Sequence, residues 1–240
     1  MVSAGPRANA QFRKRANDVF FAGSALLVLV TVFIGFARTY YLAGVFHAHL
    51  PSLTVHIHGA LFSCWILLFV TQIAFVSSGQ IRWHMRLGIA GMILAALMVV
   101  FGFATLAGVI RRHAVFAIGL DTIFAGDTLM LSTFALLVCW GYLARRDSTA
   151  HKRLMILATV VLLGPALSRW PFAFAHSAAA FFALLDVLPA LLIAFDLLAL
   201  RRIHRVTIVG VVLILVMQFS MLPLGRSAFW HHVTLWVQNL

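Results

Sequence analysis

Residues 84–110 read HMRLGIAGMILAALMVVFGFATLAGVI, and after Arg86 no charge appears until Arg111. Crossing ~30 Å of hydrocarbon takes about 20 apolar residues at a helical rise of ~1.5 Å each, and this stretch supplies them. Six other stretches read the same way: Asp18–Leu42, Leu53–Val76, Asp121–Leu143, Leu154–Phe174, Ala178–Leu200 and Val206–Pro223. The expectation is an all-α, polytopic transmembrane helical bundle of about seven spans. Composition agrees: 63% of the 240 residues are apolar, 10% are charged, and there is no glutamate. A soluble domain needs roughly a quarter of its residues charged. The connections between spans are short, which leaves no room for an extramembrane domain. Any chemistry must therefore sit inside the bundle or at its two rims.

Basic residues predict the orientation. Arg7, Arg13, Lys14 and Arg15 precede the first span, and Arg82 and Arg86 flank the turn after the second. Arg145, Arg146, Lys152 and Arg153 follow the fourth, and Arg201, Arg202 and Arg205 follow the sixth. Thirteen of the eighteen positive charges thus fall on one side, which the positive-inside rule makes cytoplasmic. The expected arrangement is a basic cytoplasmic tail over residues 1–17, a bundle over 18–224 and a short extracytoplasmic tail over 225–240. The first apolar run is too long for the core of a secretory signal and is expected to be a retained helix. The basic balance is read as topology in a cell inner membrane, with the lipid bilayer as partner. Nucleic-acid binding would require one basic face on a soluble fold, so no nucleic acid is expected.

The chain also repeats itself. His58, Trp65 and Gln72 are spaced by seven, and His84 opens the next span; Asp127, Phe134 and Gly141 share that spacing, and His151 opens the span after them. Both histidines begin one phrase, His84-Met85-Arg86-Leu87 and His151-Lys152-Arg153-Leu154. Fourteen residues advance ~1,400°, close to whole turns, so each triplet lies on one helix face. The reading is a duplicated helical hairpin, over about 53–110 and 121–174. A weaker third copy covers 178–223, with Asp186 and then His204-Arg205.

Ionisable groups in hydrocarbon are costly unless they face the bundle interior and find partners. His58 and Asp127 are therefore expected to face inward, and Arg169 either seeks Asp127 or Asp186 or reaches the outer headgroups beside Trp170. His58, Asp127, Arg169 and Asp186 together could form a polar path for a solute or protons in a non-redox carrier, and a cofactor-free membrane accessory protein is the further alternative. His84 and His151, at matched positions, are expected at equal depth. Neutral imidazole is a good ligand for transition metals and the usual axial ligand of b-type haem iron. The pair is thus a candidate metal or haem b site, with His58 a further cofactor-binding candidate. The plainer alternative places His84 and His151 at the headgroups beside their arginines.

The segment His56-Ile57-His58-Gly59-Ala60, Trp65, Gln72 and Arg82-Trp83-His84-Met85-Arg86-Leu87-Gly88 resembles bacterial membrane proteins of the DUF2306 type. So does the run from His151-Lys152-Arg153-Leu154-Met155 to Arg169-Trp170. That likeness covers about residues 53–170 and implies no activity. More loosely, the pattern is similar to cytochrome b561-like proteins, whose four central helices each supply one haem histidine in two crossed pairs. That resemblance implies that His84 and His151 form one pair and that electrons pass across the membrane to partners the sequence does not name. The second pair would need His58 and a histidine in the fourth span, where this sequence has Asp127.

Other features carry less. His47, His49 and one of His56 or His58 could grip a metal at the outer rim, with His231 and His232 as further donors. Pro165 should free the carbonyl of Val161, which can kink the fifth span or bind a polar partner. Cys64 and Cys139 lie singly in spans without metal-ligand spacing. Lys14 and Lys152, the only lysines, both sit at the inner rim, which excludes a retinal Schiff base in a late span. No Walker A, Rossmann glycine pattern or HExxH occurs, no catalytic residue stands out, and a homo-oligomer is left open. Reporter fusions test the orientation: one placed after Ser148 should be active only in the cytoplasm, and one after Leu240 only outside it. Reversed activities would overturn both the span count and the sidedness.

Overall fold

The computed structural model describes residues 6–48 and 52–240, and among them all regular structure is helical. The helices are α1 (Pro6–Phe36), α2 (Leu53–Ser77), α3 (Ile81–Arg111), α4 (Leu120–Leu143), α5 (Ser148–Val161), α6 (Gly164–Leu167), α7 (Ala178–Leu200), α8 (Arg205–Gly225) and α9 (Ala228–Gln238). A π-helical turn, Ala37–Tyr41, extends α1, and a 3₁₀ turn, Ala173–His176, precedes α7. Six helical segments are long and apolar enough to cross a membrane: Lys14–Tyr41, α2, α3, α4, α7 and α8. In hydrocarbon every backbone N–H and C=O must be satisfied within the chain, and long helices achieve that segment by segment. The protein is an all-α, multi-pass membrane bundle.

The fifth of the seven expected spans is built differently. It does not run unbroken from Leu154 to Phe174. α5 ends at Val161, and the short α6 follows after Leu162 and Leu163. The cause is the one the sequence supplies: Pro165 has no N–H to offer the Val161 carbonyl. The broken segment is also the most enclosed part of the molecule. Nine of the fourteen residues of α5 are buried, and Leu162, Leu163, Ala166 and Leu167 continue the core. A helix buried on all sides is a hub. At the break, α1 comes in close: a Cβ on Gly35 would stand 2.3 Å from the carbonyl oxygen of Ala166, so only glycine allows the approach.

Three consecutive residues at the start of α5 show what the hub holds. Asp147 caps the helix, accepting from the N–H of Thr149 (2.9 Å) and Ala150 (3.2 Å). Steps of ~100° per residue then send three side chains to three neighbours. His151 turns to α3 and α4, where its Nδ1 lies 2.9 Å from the Gly141 carbonyl oxygen. Lys152 donates to the side chain of Asn17 on α1 and lies 4.8 Å from the Phe21 ring centroid. Arg153 turns to α7 and α8 and pairs with Asp196.

That ion pair is buried, at 1% and 0% exposure, and every side-chain nitrogen and oxygen in it has a partner. Arg153 donates from Nε to Asp196 Oδ1 (2.8 Å), from Nη2 to the same oxygen, and from Nη1 to the Thr149 carbonyl (2.8 Å). The other oxygen, Oδ2, accepts from the His204 N–H (2.9 Å) and the Thr207 hydroxyl (2.7 Å). Arg153, read from sequence as one of thirteen rim charges, is therefore an internal group. Its counterpart in the other copy of the phrase, Arg86, stays at the edge with its guanidinium 5.6 Å from the Trp83 ring centroid.

The third repeat copy does not keep the chemistry of the first two. His204 caps α8, its Nδ1 accepting from the Val206 N–H (3.3 Å), and Asp186 accepts from Gln218 (2.9 Å). Residues 225–240, expected as a short tail, carry α9, whose Val237 joins Leu106, Ile110 and Phe124 in a small second core. His231 meets Asp121 at 2.9 Å, and Gln238 meets His113 at 3.1 Å, tying α9 across the ends of α3 and α4.

Removing one member of the buried pair leaves a lone charge in an apolar interior, at a cost of about 3–5 kcal/mol. Arg153→Met and Asp196→Leu, each alone, should therefore lower the unfolding midpoint in detergent sharply. The double variant should recover most of the loss. Single variants within ~1 kcal/mol of the parent would show that the pair is not a structural tie.

Candidate functional site

The two hairpin repeats meet face to face, and equivalent residues meet each other. At mid-depth, Trp65 and Phe134 pack edge to face with ring centroids 5.1 Å apart, both buried. The Trp65 indole N–H donates to the Thr159 hydroxyl (3.2 Å), which in turn donates to the Met155 carbonyl (2.9 Å). This contact, tied to the hub, separates the polar residues between the repeats into two groups, an inner one on the side of the α5 N-terminus and an outer one on the side of Arg169.

The inner group holds His84 and His151. Their ring centroids are 6.0 Å apart and their planes lie at 84°. The expectation that they lie at equal depth and face one another agrees with this geometry. A carbonyl can only accept, so the Nδ1 of His151 carries the proton it gives to Gly141, and its Nε2 keeps a free lone pair. The equivalent carbonyl, Gln72, lies beside the His84 ring. His84 Nδ1 and Gln72 Oε1 are both buried without hydrogen-bond partners. On the α3 side the chain leaves room, for a Cβ on Gly88 would find only the Gln72 amide, at 3.7 Å. α3 and α5 do not pack along each other, and the two imidazoles bridge the gap between them.

The outer group holds His58, Asp127 and Arg169. His58 and Asp127 lie seven residues before the buried Trp65 and Phe134 on the same helix faces, so they point inward. Both are nonetheless only half-buried. The exposed guanidinium of Arg169 is held in place, donating from Nη1 to the Pro165 carbonyl (2.6 Å) and lying 5.0 Å from the Phe36 ring centroid. Arg169 is within electrostatic reach of both Asp127 and His58. The expected ion pair of Arg169 with Asp127 or Asp186 does not form among the described residues: tethered by Pro165 and Phe36, the guanidinium stops short of Asp127, while Asp186 is taken by Gln218. Buried polar atoms lack partners here too, namely His58 Nδ1, Thr105 Oγ1 and Thr128 Oγ1.

The remaining candidates separate. No second histidine opposes His58 among the described residues; its ring packs on Phe62 at 4.2 Å. A second crossed pair is therefore not formed. His56 lies 5.6 Å from the Tyr40 ring and His231 binds Asp121, while His49 lies outside the described residues. No group of three or more metal-binding side chains gathers among the described residues.

Two functional features escaped the sequence. Asp196 sits in an apolar run, and an acid in that setting was the signal that a basic partner had to be found inside the bundle. Thr159, the acceptor for Trp65, offered no signal beyond its polarity.

The Trp65–Phe134 contact has a measurable strength. Trp65→Phe removes the indole hydrogen bond, worth about 1 kcal/mol, and part of the buried ring while keeping an aromatic against Phe134. Trp65→Ala removes the packing as well and should cost about 3–5 kcal/mol in detergent unfolding. Equal effects of the two substitutions would contradict the packing shown here.

No family model, curated protein or solved structure matches this chain.

Proposed function

We propose that this integral membrane protein binds haem b through His84 and His151, near its cytoplasmic rim, and passes electrons in the membrane. The observation that carries the reading is the convergence of the two imidazoles from α3 and α5, with centroids 6.0 Å apart. Ligating nitrogens stand ~2 Å from a metal, so two that share one metal lie at most ~4 Å apart. Ring centroids stand a little behind the nitrogens, and the observed spacing suits such a pair. The residues would suit such a ligand pair in a second respect. Ligating histidines are normally oriented by a hydrogen bond from their other nitrogen, and the Gly141 carbonyl supplies that to His151. The bound group would supply reversible one-electron redox chemistry. The chain fixes the tautomer and heading of His151 through Gly141, and it excludes water from above with Trp65 and Phe134. Asp127 in place of a fourth histidine limits the reading to one haem.

A second reading rests on the outer group. Arg169 lies within electrostatic reach of His58 and Asp127 near one end of the bundle, where the entrance of a solute or proton path would be. Such a path would continue inward only if the Trp65–Phe134 layer moved.

A reduced-minus-oxidised visible spectrum of the purified protein, expressed with haem precursor supplied, separates the readings. A b-type band is expected, lost in His84→Ala and in His151→Ala and unchanged in His113→Ala. Absence of the band from the parent protein, or its survival in both histidine variants, would overturn the haem reading and leave the outer group as the functional site.

A further inference from the structure

The outer group contains a cation and an anion that are near each other and not joined. Arg169 spends one donor on Pro165 and its face on Phe36, and its other N–H groups find no acceptor among the described residues. Asp127 makes no hydrogen bond or ion pair among the described residues, although it lies on the inward stripe of α4 between the buried Phe124, Leu131 and Phe134. Natural bundles do not leave such groups idle. The contrast is within this molecule, where Arg153 and Asp196 saturate one another and recruit Thr149, Thr207 and the His204 N–H.

Neutral donors and acceptors join the same group. Thr105 follows Phe101, whose backbone lies against the His58 ring, by one helical turn on α3. A Cβ on Gly102 would meet Leu131 of α4 at 2.8 Å, so one turn further out in this antiparallel pair Thr105 and Thr128 come to matched heights. Both hydroxyls are buried, and neither makes the usual bond to its own helix carbonyl. His58 Nδ1 is buried and unpartnered on the facing helix. These groups gather above the Trp65–Phe134 contact, where a ligand-sized cup between them would have opposite charges at its rim and wall.

We propose that this cup binds a small zwitterion, an α-amino acid, with Arg169 taking the carboxylate and Asp127 the ammonium group. The guanidinium fork matches a carboxylate in shape as well as charge. An isolated anion would gain Arg169 but face the unpaired carboxylate of Asp127, and an isolated cation would meet the converse. A molecule that carries both charges satisfies both groups at once, while the threonine hydroxyls and His58 remain for a polar side chain. The site stands on its own residues and does not require a metal at His84 and His151.

The test is thermal unfolding and equilibrium dialysis of the full chain in nanodiscs. The probes are the twenty common α-amino acids, with acetate and methylammonium as single-charge controls. At least one amino acid should raise the unfolding temperature and bind, and neither control should do so at the same concentration. Asp127→Asn and Arg169→Gln should each weaken that binding at least tenfold, while His113→Ala leaves it unchanged. Thr128→Val, a milder change, should weaken it less, and keeps the test valid should either charge variant fold poorly. Binding of acetate as strongly as of any amino acid would reduce the cup to an anion site and overturn the proposal. So would the absence of binding by all twenty, or binding indifferent to all three cup variants. The haem band reports separately on the inner pair, so failure of one assignment does not imply failure of the other.

Discussion

A guanidinium and a carboxylate buried among hydrocarbon must satisfy one another completely, and the rest of this bundle is arranged around that requirement. Asp196 receives Arg153, the His204 N–H and the Thr207 hydroxyl, while Arg153 also reaches back to the Thr149 carbonyl. These bonds fix the rotation of α5 about its own axis. Once that is set, the helical step determines where the preceding residues go: Lys152 to α1 and His151 to the gap before α3. The heading of His151 thus depends on a charge pair it never touches. A shift of α7 relative to α5 would turn the imidazole away from His84.

Much of this architecture can be read from residue order. Apolar length and the spacing of seven identify the helices and the two hairpins, because both follow from helix geometry alone. The matched phrases beginning at His84 and His151 correctly bring those rings together, and Pro165 correctly marks the break at Val161. What the pattern does not convey is environment. The same phrase places Met85 at 59% exposure and the following Arg86 at the rim, yet buries Arg153 at 1%. Copies of one hairpin become different surroundings when one of them lies in the centre of the bundle. Likewise the inward placement of Asp127 follows from the cost of charge in lipid, but whether it touches Arg169 depends on where Pro165 and Phe36 hold the arginine.

The aromatic layer gives the molecule a second organising feature. Trp65 and Phe134 occupy equivalent positions of the two repeats, and their contact is anchored through Thr159 to the hub. Polar groups without partners lie on both sides of it, with Gln72 and His84 below and His58, Thr105 and Thr128 above. Duplication has therefore produced one dry seam flanked by two polar groups whose residue types differ: imidazoles inside, mixed charges outside. The divergence between His58 and Asp127 is what makes the outer group chemically unlike the inner one.

The enclosed position of α5 has a consequence for how the chain is assembled. Its first turns carry His151, Lys152 and Arg153, and its apolar stretch is cut at Val161, so it is a poor candidate for entering lipid unaided. The carboxylate that neutralises Arg153 arrives only with α7, and the hydroxyl of Thr207 later still, with α8. During synthesis the segment must therefore wait, sheltered by the translocation machinery or by α1, until the last hairpin is made. A chain truncated before residue 196 would lack the partner for its own centre, and quality control would meet an exposed arginine rather than a nearly finished bundle.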